Sequence, residues 1–145
     1  MRDFTSLANP ILIIFVPFIF IGTNKLFYSL LIFLLINEVI CSLIKVFFHK
    51  KRPIEQHYQS VIEKIDAGSF PSIHTSRITL SYLTLTSISD NLGLKLVFIS
   101  IILLVMFSRV ILKKHFWIDV MGGFIIGFLF WLILIKTVGV DYFNL

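Results

Sequence analysis

Charge is scarce in this chain. Only 14% of its 145 residues are Asp, Glu, Lys or Arg, while 57% are hydrophobic and mean hydropathy is +0.95. An ordinary soluble domain carries about a quarter charged residues, so the composition excludes that class and points to an integral membrane protein. Cysteine is nearly absent. Cys41 alone permits neither an intrachain disulfide nor a cysteine-based metal site, and inside an apolar run it reads as a small buried hydrophobe. Apolar–polar alternation is also missing. The apolar runs are continuous, which argues for helices and against a membrane barrel. No repeat, low-complexity tract or second domain is visible, so residues 1–145 read as one domain.

What charge there is lies in few places. The formal net charge is +5, and the basic residues collect in two segments between apolar runs. That placement favours anionic lipid or a phosphate-bearing ligand as the partner, rather than nucleic acid.

Five apolar spans follow in order, and the fold class expected is all-α, a helical membrane bundle of about five transmembrane helices. The first runs from about Leu7 to Gly22. It contains Pro10 and Pro17 and is short for a crossing, which needs about 20 residues. Arg2 before Ile11–Ile21 resembles a leader peptide, but no small-residue cleavage pattern follows, so a retained helix is expected. The second span runs from about Leu26 to Phe48 and carries Asn37 and Glu38 near its middle. An acid there needs a partner, and Arg77 at a similar depth is the candidate. The third, about Pro71 to Ser89, is rich in Ser and Thr, which suits a helix enclosed by other helices. The fourth runs from about Leu94 to Leu112. The fifth, Asp119 to about Lys136, contains the pair Gly123 and Gly127 in a Gly-x-x-x-Gly pattern. Between the second and third spans, Ile54, Tyr58, Val61, Ile62 and Ile65 recur at helical spacing opposite Glu55, Gln56, Gln59, Glu63 and Asp66. This predicts a short amphipathic helix in the membrane interface, serving as a connector or as a lid.

Five spans bring three polar junctions to one face. Lys45 and Arg52 stand seven residues apart, about two helical turns, so both can point the same way. Pro71-Ser72-Ile73-His74 sits where a helix begins and its free N–H groups can hold an anion. Ser72 adds a hydroxyl, and His74 is a titratable group suited to protonating a leaving oxygen. Ser108 to Asp119 packs Arg109, Lys113, Lys114, His115 and Asp119 into a dozen positions. Arg109 offers a planar cation suited to phosphate. His115 can attack phosphorus, with Asp119, four residues on, holding its other ring nitrogen or capping the fifth helix. Lys50, Lys51, Lys113 and Lys114 read as interfacial anchors.

The three pieces Lys45-x6-Arg52-Pro53, Pro71-Ser72-Ile73-His74 and Ser108-Arg109-x5-His115-x3-Asp119 resemble the signature of the type 2 phosphatidic acid phosphatase superfamily in order and spacing. The matched region, 45–119, covers about half the chain. The resemblance implies a membrane lipid phosphatase. His115 would be the nucleophile that becomes phosphohistidine, Asp119 its partner and His74 the general acid. Lys45, Arg52, Ser72, Arg109 and the backbone N–H of Ile73 would hold the phosphate. It implies no metal or other cofactor. The substrate would be a lipid phosphomonoester or pyrophosphate: phosphatidic acid, phosphatidylglycerophosphate, a polyprenyl pyrophosphate or a lipid A phosphate. It also implies a multi-pass protein of the cell membrane whose site faces outward, although the Lys and Arg on that face would by the positive-inside rule place it in the cytoplasm. Two departures stand out. Ile73 occupies a position where the family usually has glycine, and about five helices replace the usual six. Two other functions fit the same residues. A non-catalytic lipid-binding or scramblase-like protein could retain the anion pocket, and the soluble vanadate-dependent haloperoxidases share that pocket.

Overall fold

The computed structural model describes residues 10–48, 50–53 and 68–139, with the side chains at 10–12 left aside. Five helices and no strand form among them: α1 (Pro10–Ile21), α2 (Lys25–Phe47), α3 (Ile73–Ile88), α4 (Leu92–Ile111) and α5 (Trp117–Val138). The all-α class expected from the apolar runs is the one observed. The amphipathic helix expected between the second and third spans lies outside the described residues.

Local chemistry explains where the helices start. Asn24 accepts a hydrogen bond from Phe27 N at 3.1 Å and opens α2. Asn91 does the same for α4 through Leu94 N at 3.2 Å. A short polar side chain at the N-cap satisfies one of the donors that the first turn leaves open. The α3 helix starts later than its proline suggested, with Ser72 at the cap and Pro71 ahead of it; the Phe70–Pro71 peptide is cis.

Among the described residues three helices, α2, α4 and α5, are long and apolar enough to cross a membrane. That is fewer than the five spans expected. The α1 helix has 12 residues and α3 has 16, so they rise only about 18 and 24 Å against a hydrocarbon layer of about 30 Å. Outside the bundle, large apolar side chains such as Leu35, Val39, Leu104, Ile118 and Ile133 are exposed. Inside, polar ones are buried: Asn37, Ser76, Thr79, Ser81 and Thr84. This inversion is what a bundle solvated by lipid requires, because the outer surface has nothing to gain from polarity.

The α3 helix is the centre of the bundle and packs against all four others. Three of its hydroxyls bond back within the helix: Thr84 donates to Leu80 O, Thr86 to Tyr82 O and Ser87 to Leu83 O, each within 2.9 Å. Others reach across, as Ser76 does to Asn37 Oδ1 at 2.6 Å. One apolar cluster joins Ile78, Tyr82 and Leu85 of α3 to Phe98, Ile102 and Val105 of α4 and Val120 of α5. A second joins Leu26 and Leu30 of α2 to Leu80 and Leu134.

The α3 and α5 helices approach each other closely. A Cβ on Gly123 would clash with the Ser72 carbonyl oxygen, and one on Gly127 would clash with that of Ser76. The Gly-x-x-x-Gly pair therefore lets α5 lie directly on the first two turns of α3. A backbone hydrogen bond from Ser72 N to Asp119 O, 2.9 Å, locks the two helix starts in register. That register brings the polar junctions together.

Candidate active site

The end of α2, the 68–72 segment, the start of α3 and the α4–α5 turn meet at one end of the bundle. Lys45 lies in the last turn of α2 and is only 2% exposed. A lysine that deeply buried in an apolar bundle must have its charge answered from nearby. The α4 helix ends at Ile111, and Lys113 takes a left-handed φ of 54°. The reversal lets Lys114 N and His115 N both donate to the Arg109 carbonyl, at 3.1 and 3.2 Å. Arg109 and His115, each 4% exposed, are thereby brought to the same turn.

His115 is gripped by an unexpected residue. Its Nδ1 lies 2.8 Å from the carbonyl oxygen of Ser69. A carbonyl can only accept, so Nδ1 must carry the proton. In the neutral ring Nε2 then holds the lone pair. The nitrogen that sequence reasoning gave to Asp119 therefore faces Ser69.

The Asp119 carboxylate has three other contacts. Its Oδ2 accepts from Ser69 Oγ at 2.5 Å and from Phe116 N at 2.8 Å, and its Oδ1 pairs with Lys50 Nζ at 2.7 Å. The Phe116 bond is the helix-capping role that Asp119 also suits by sequence. The carboxylate thus reaches the imidazole through Ser69, whose carbonyl holds the ring and whose hydroxyl holds the acid. Lys50, expected only as an interfacial anchor, instead spans to Asp119 with its ammonium 4.6 Å from the centre of the Phe116 ring.

Electrostatics around His115 follow from burial and neighbours. Burial disfavours the imidazolium and pushes the pKa from 6.5 down to about 4. The Arg52 and Lys45 cations contribute to this same lowering, while the Ser69 carbonyl and the Asp119 charge oppose it. Lys45 and Arg52 therefore act on the same ring, but not as two turns of one helix: α2 ends at Phe47, and Arg52 lies beyond it. His115 is neutral at pH 7, with a lone pair in a field that attracts anions.

The remaining candidates occupy the start of α3. Ser72 is buried, and its Oγ accepts from Thr75 Oγ1 at 3.0 Å. Its N–H is used on Asp119 O, so the open backbone donors of this end begin at Ile73. Ile73 is 6% exposed, which puts its side chain into the bundle. His74 stands on the first turn and is half-buried. Through the Ser72–Asp119 bond this turn shares an end of the bundle with His115. Sequence reasoning missed Ser69 and misread Lys50. The first acts largely through a carbonyl that every residue has, and the second carries the same charge as its surface neighbours.

Neither a curated protein nor a solved structure matches the chain. The PAP2 superfamily model matches residues 25–142. That stretch takes in α2 through α5 and every residue of the site just described. The chain belongs to the PAP2 superfamily, and membership implies phosphatase or phosphoesterase activity.

Proposed function

We propose that the protein is a metal-independent membrane lipid phosphatase, hydrolysing a lipid phosphomonoester or pyrophosphate through a phosphohistidine at His115. The observation that carries this reading is the state of that ring: buried, neutral, its proton held on Nδ1 by Ser69 and its Nε2 lone pair available. Lys45, Arg52 and Arg109 neutralise the phosphate oxygens, with the Ser72 hydroxyl and the Ile73 N–H as further donors. Nε2 attacks phosphorus, and the P–O bond to the lipid breaks as His74 gives its proton to the departing oxygen. The developing imidazolium is stabilised by the Ser69 carbonyl and, through Ser69, by Asp119. Water then attacks the phosphohistidine, His74 takes its proton, the P–N bond breaks and inorganic phosphate leaves.

In this reading α1 and α3 complete a five-helix membrane domain, their short lengths shielded by α2, α4 and α5. The protein lies in the cell membrane with its site facing outward, and its partners are the bilayer and the lipid phosphate.

The test is phosphate release by purified protein in detergent from a panel of lipid mono- and pyrophosphates, alongside His115→Ala. Release by the native chain, a labelled phospho-enzyme on acid quench, and loss of both in His115→Ala are expected. Full activity in that variant would remove His115 as nucleophile.

A further inference from the structure

Below the phosphate end lies a feature that the chemistry above does not use. A cavity of about 320 Å³ opens between α1, α2 and α3, walled by Ile13 and Ile14, by Leu31, Leu34 and Leu35, and by Glu38 and Arg77. Its volume is in the range of small-ligand sites. Ile14 and Leu35 are exposed on the outside of the bundle, so the cavity opens toward lipid.

Its polar end is the Glu38–Arg77 pair. Arg77 Nε donates to Glu38 Oε2 at 2.5 Å, and its Nη2 pairs with the same oxygen. The pairing expected from the sequence is thus present, but it is not sealed inside the protein. The Glu38 side chain is 36% exposed and that of Arg77 20%. A guanidinium carries five N–H donors and no acceptor, and one carboxylate oxygen does not use them all. A charged donor facing hydrocarbon is costly until an acceptor covers it.

Its position links it to the reaction site. Arg77 is three residues beyond His74 on α3, about 4.5 Å along the axis, and Glu38 is seven before Lys45 on α2, about 10 Å. Both spacings keep the pair near the helix faces that carry His74 and Lys45. From the phosphate end inward, the order is therefore cations, then a guanidinium with unused donors, then an apolar cavity. An acylglycerol phosphate has that order: phosphate, ester carbonyl a few bonds away, hydrocarbon chain. A polyprenyl chain brings no carbonyl.

We propose that this cavity binds one acyl chain of the lipid phosphate turned over at His115, and that Arg77, held by Glu38, donates to its ester carbonyl. This rests on the phosphatase reading and narrows it.

The experiment compares dioleoylglycerol phosphate with its dialkyl ether analogue, which has the same headgroup and chains but no carbonyl. The native protein should prefer the ester in kcat/KM by about tenfold, the size of one hydrogen bond from a charged donor. The double variant Glu38→Leu/Arg77→Leu should turn over both alike. Leu31→Trp, which fills the cavity, should lower kcat/KM about tenfold for both lipids while leaving a water-soluble aryl phosphate unchanged. Equal turnover of ester and ether by the native protein would overturn the carbonyl contact, as would a preference surviving in the double variant. No effect of Leu31→Trp would overturn the cavity as the chain site, and needs no folded double variant. Binding in His115→Ala separates this from the phosphatase reading. Preferential thermal stabilisation by the ester lipid there, with no hydrolysis by the native chain, would keep the cavity and remove the reaction.

Discussion

The Ser69 carbonyl oxygen lies 2.8 Å from Nδ1 of His115. The same serine gives its hydroxyl to Asp119 at 2.5 Å and its N–H to the Lys50 carbonyl at 2.8 Å. One residue therefore holds the ring, the acid and the strand of chain that supplies Lys50. A backbone acceptor chooses the tautomer, and the Asp119 charge supports the ring from one residue further away.

The first prediction concerns that linkage. Ser69→Ala keeps the carbonyl but removes the hydroxyl from Asp119. A hydrogen bond to a charged group contributes about 1.5–3 kcal/mol, so kcat should fall by roughly tenfold or more while KM changes little. Ser69→Thr, which keeps a hydroxyl, should recover most of the loss. In ¹⁵N spectra the His115 ring should show a protonated Nδ1 and an unprotonated Nε2 in the native protein and in Ser69→Ala alike. The opposite tautomer would contradict the Ser69 contact.

The second prediction concerns pH. The folded pKa of His115, about 4, lies below its ordinary 6.5. Between these values the unfolded chain binds a proton that the folded chain does not, so stability rises with pH across that window and is lost as pH falls through it. At about 1.4 kcal/mol per unit the whole window is worth roughly 3 kcal/mol. The melting temperature should therefore drop as pH is lowered from 7 toward 4, and His115→Asn should flatten the slope. Hydrolysis should follow the same group. Once the substrate's own ionisation is removed, kcat/KM should lose activity on the acid side near pH 4 rather than near 6.5.

The third prediction concerns the α3–α5 contact. Gly127→Ala drives a methyl against the Ser76 carbonyl and within 2.8 Å of Thr79 Cβ. Overpacking of this kind costs about 1–3 kcal/mol. The backbone of Ser76 cannot yield as a flexible side chain could, so the upper part of that range is expected. Met121→Ala, on the exposed side of the same helix, should change stability by no more than about 0.5 kcal/mol. Thermal unfolding in detergent measures both.

The fourth prediction concerns Glu38 and Arg77. Removing one partner of a buried ion pair costs about 3–5 kcal/mol because the other charge is stranded. This pair is partly exposed, so about 2 kcal/mol is expected for Arg77→Leu. Adding Glu38→Leu should restore most of that loss, since the stranded acid is then gone. A double variant no more stable than Arg77→Leu would mean the two side chains do not depend on each other.

Much of this molecule can be read locally. All five helices begin and end within about three residues of the apolar runs, because apolar runs and side-chain caps such as Asn24 act over a single turn. The polar junctions are equally local. Lys45 and Arg52, or Arg109 and His115, are neighbours along the chain, and charge in an apolar sequence is conspicuous. The Glu38–Arg77 pair was accessible for the same reason: an acid within an apolar run needs a cation at its own depth.

Tertiary structure alone decided which groups touch. Ser69 and His115 are 46 residues apart and Lys50 and Asp119 are 69 apart. Ser69 acts on the ring through a carbonyl, and because every residue carries one, its side-chain type gives no sign of the role. Lys50 has the same charge as its neighbour Lys51, and only the course of the chain turns it toward Asp119. The glycine pair showed that some helix would come close; the Ser72 and Ser76 carbonyls that it meets belong to the packing of α5 on α3. Helix and charge are properties of short stretches, whereas hydrogen-bond partnership between distant backbone groups exists only once the bundle has closed.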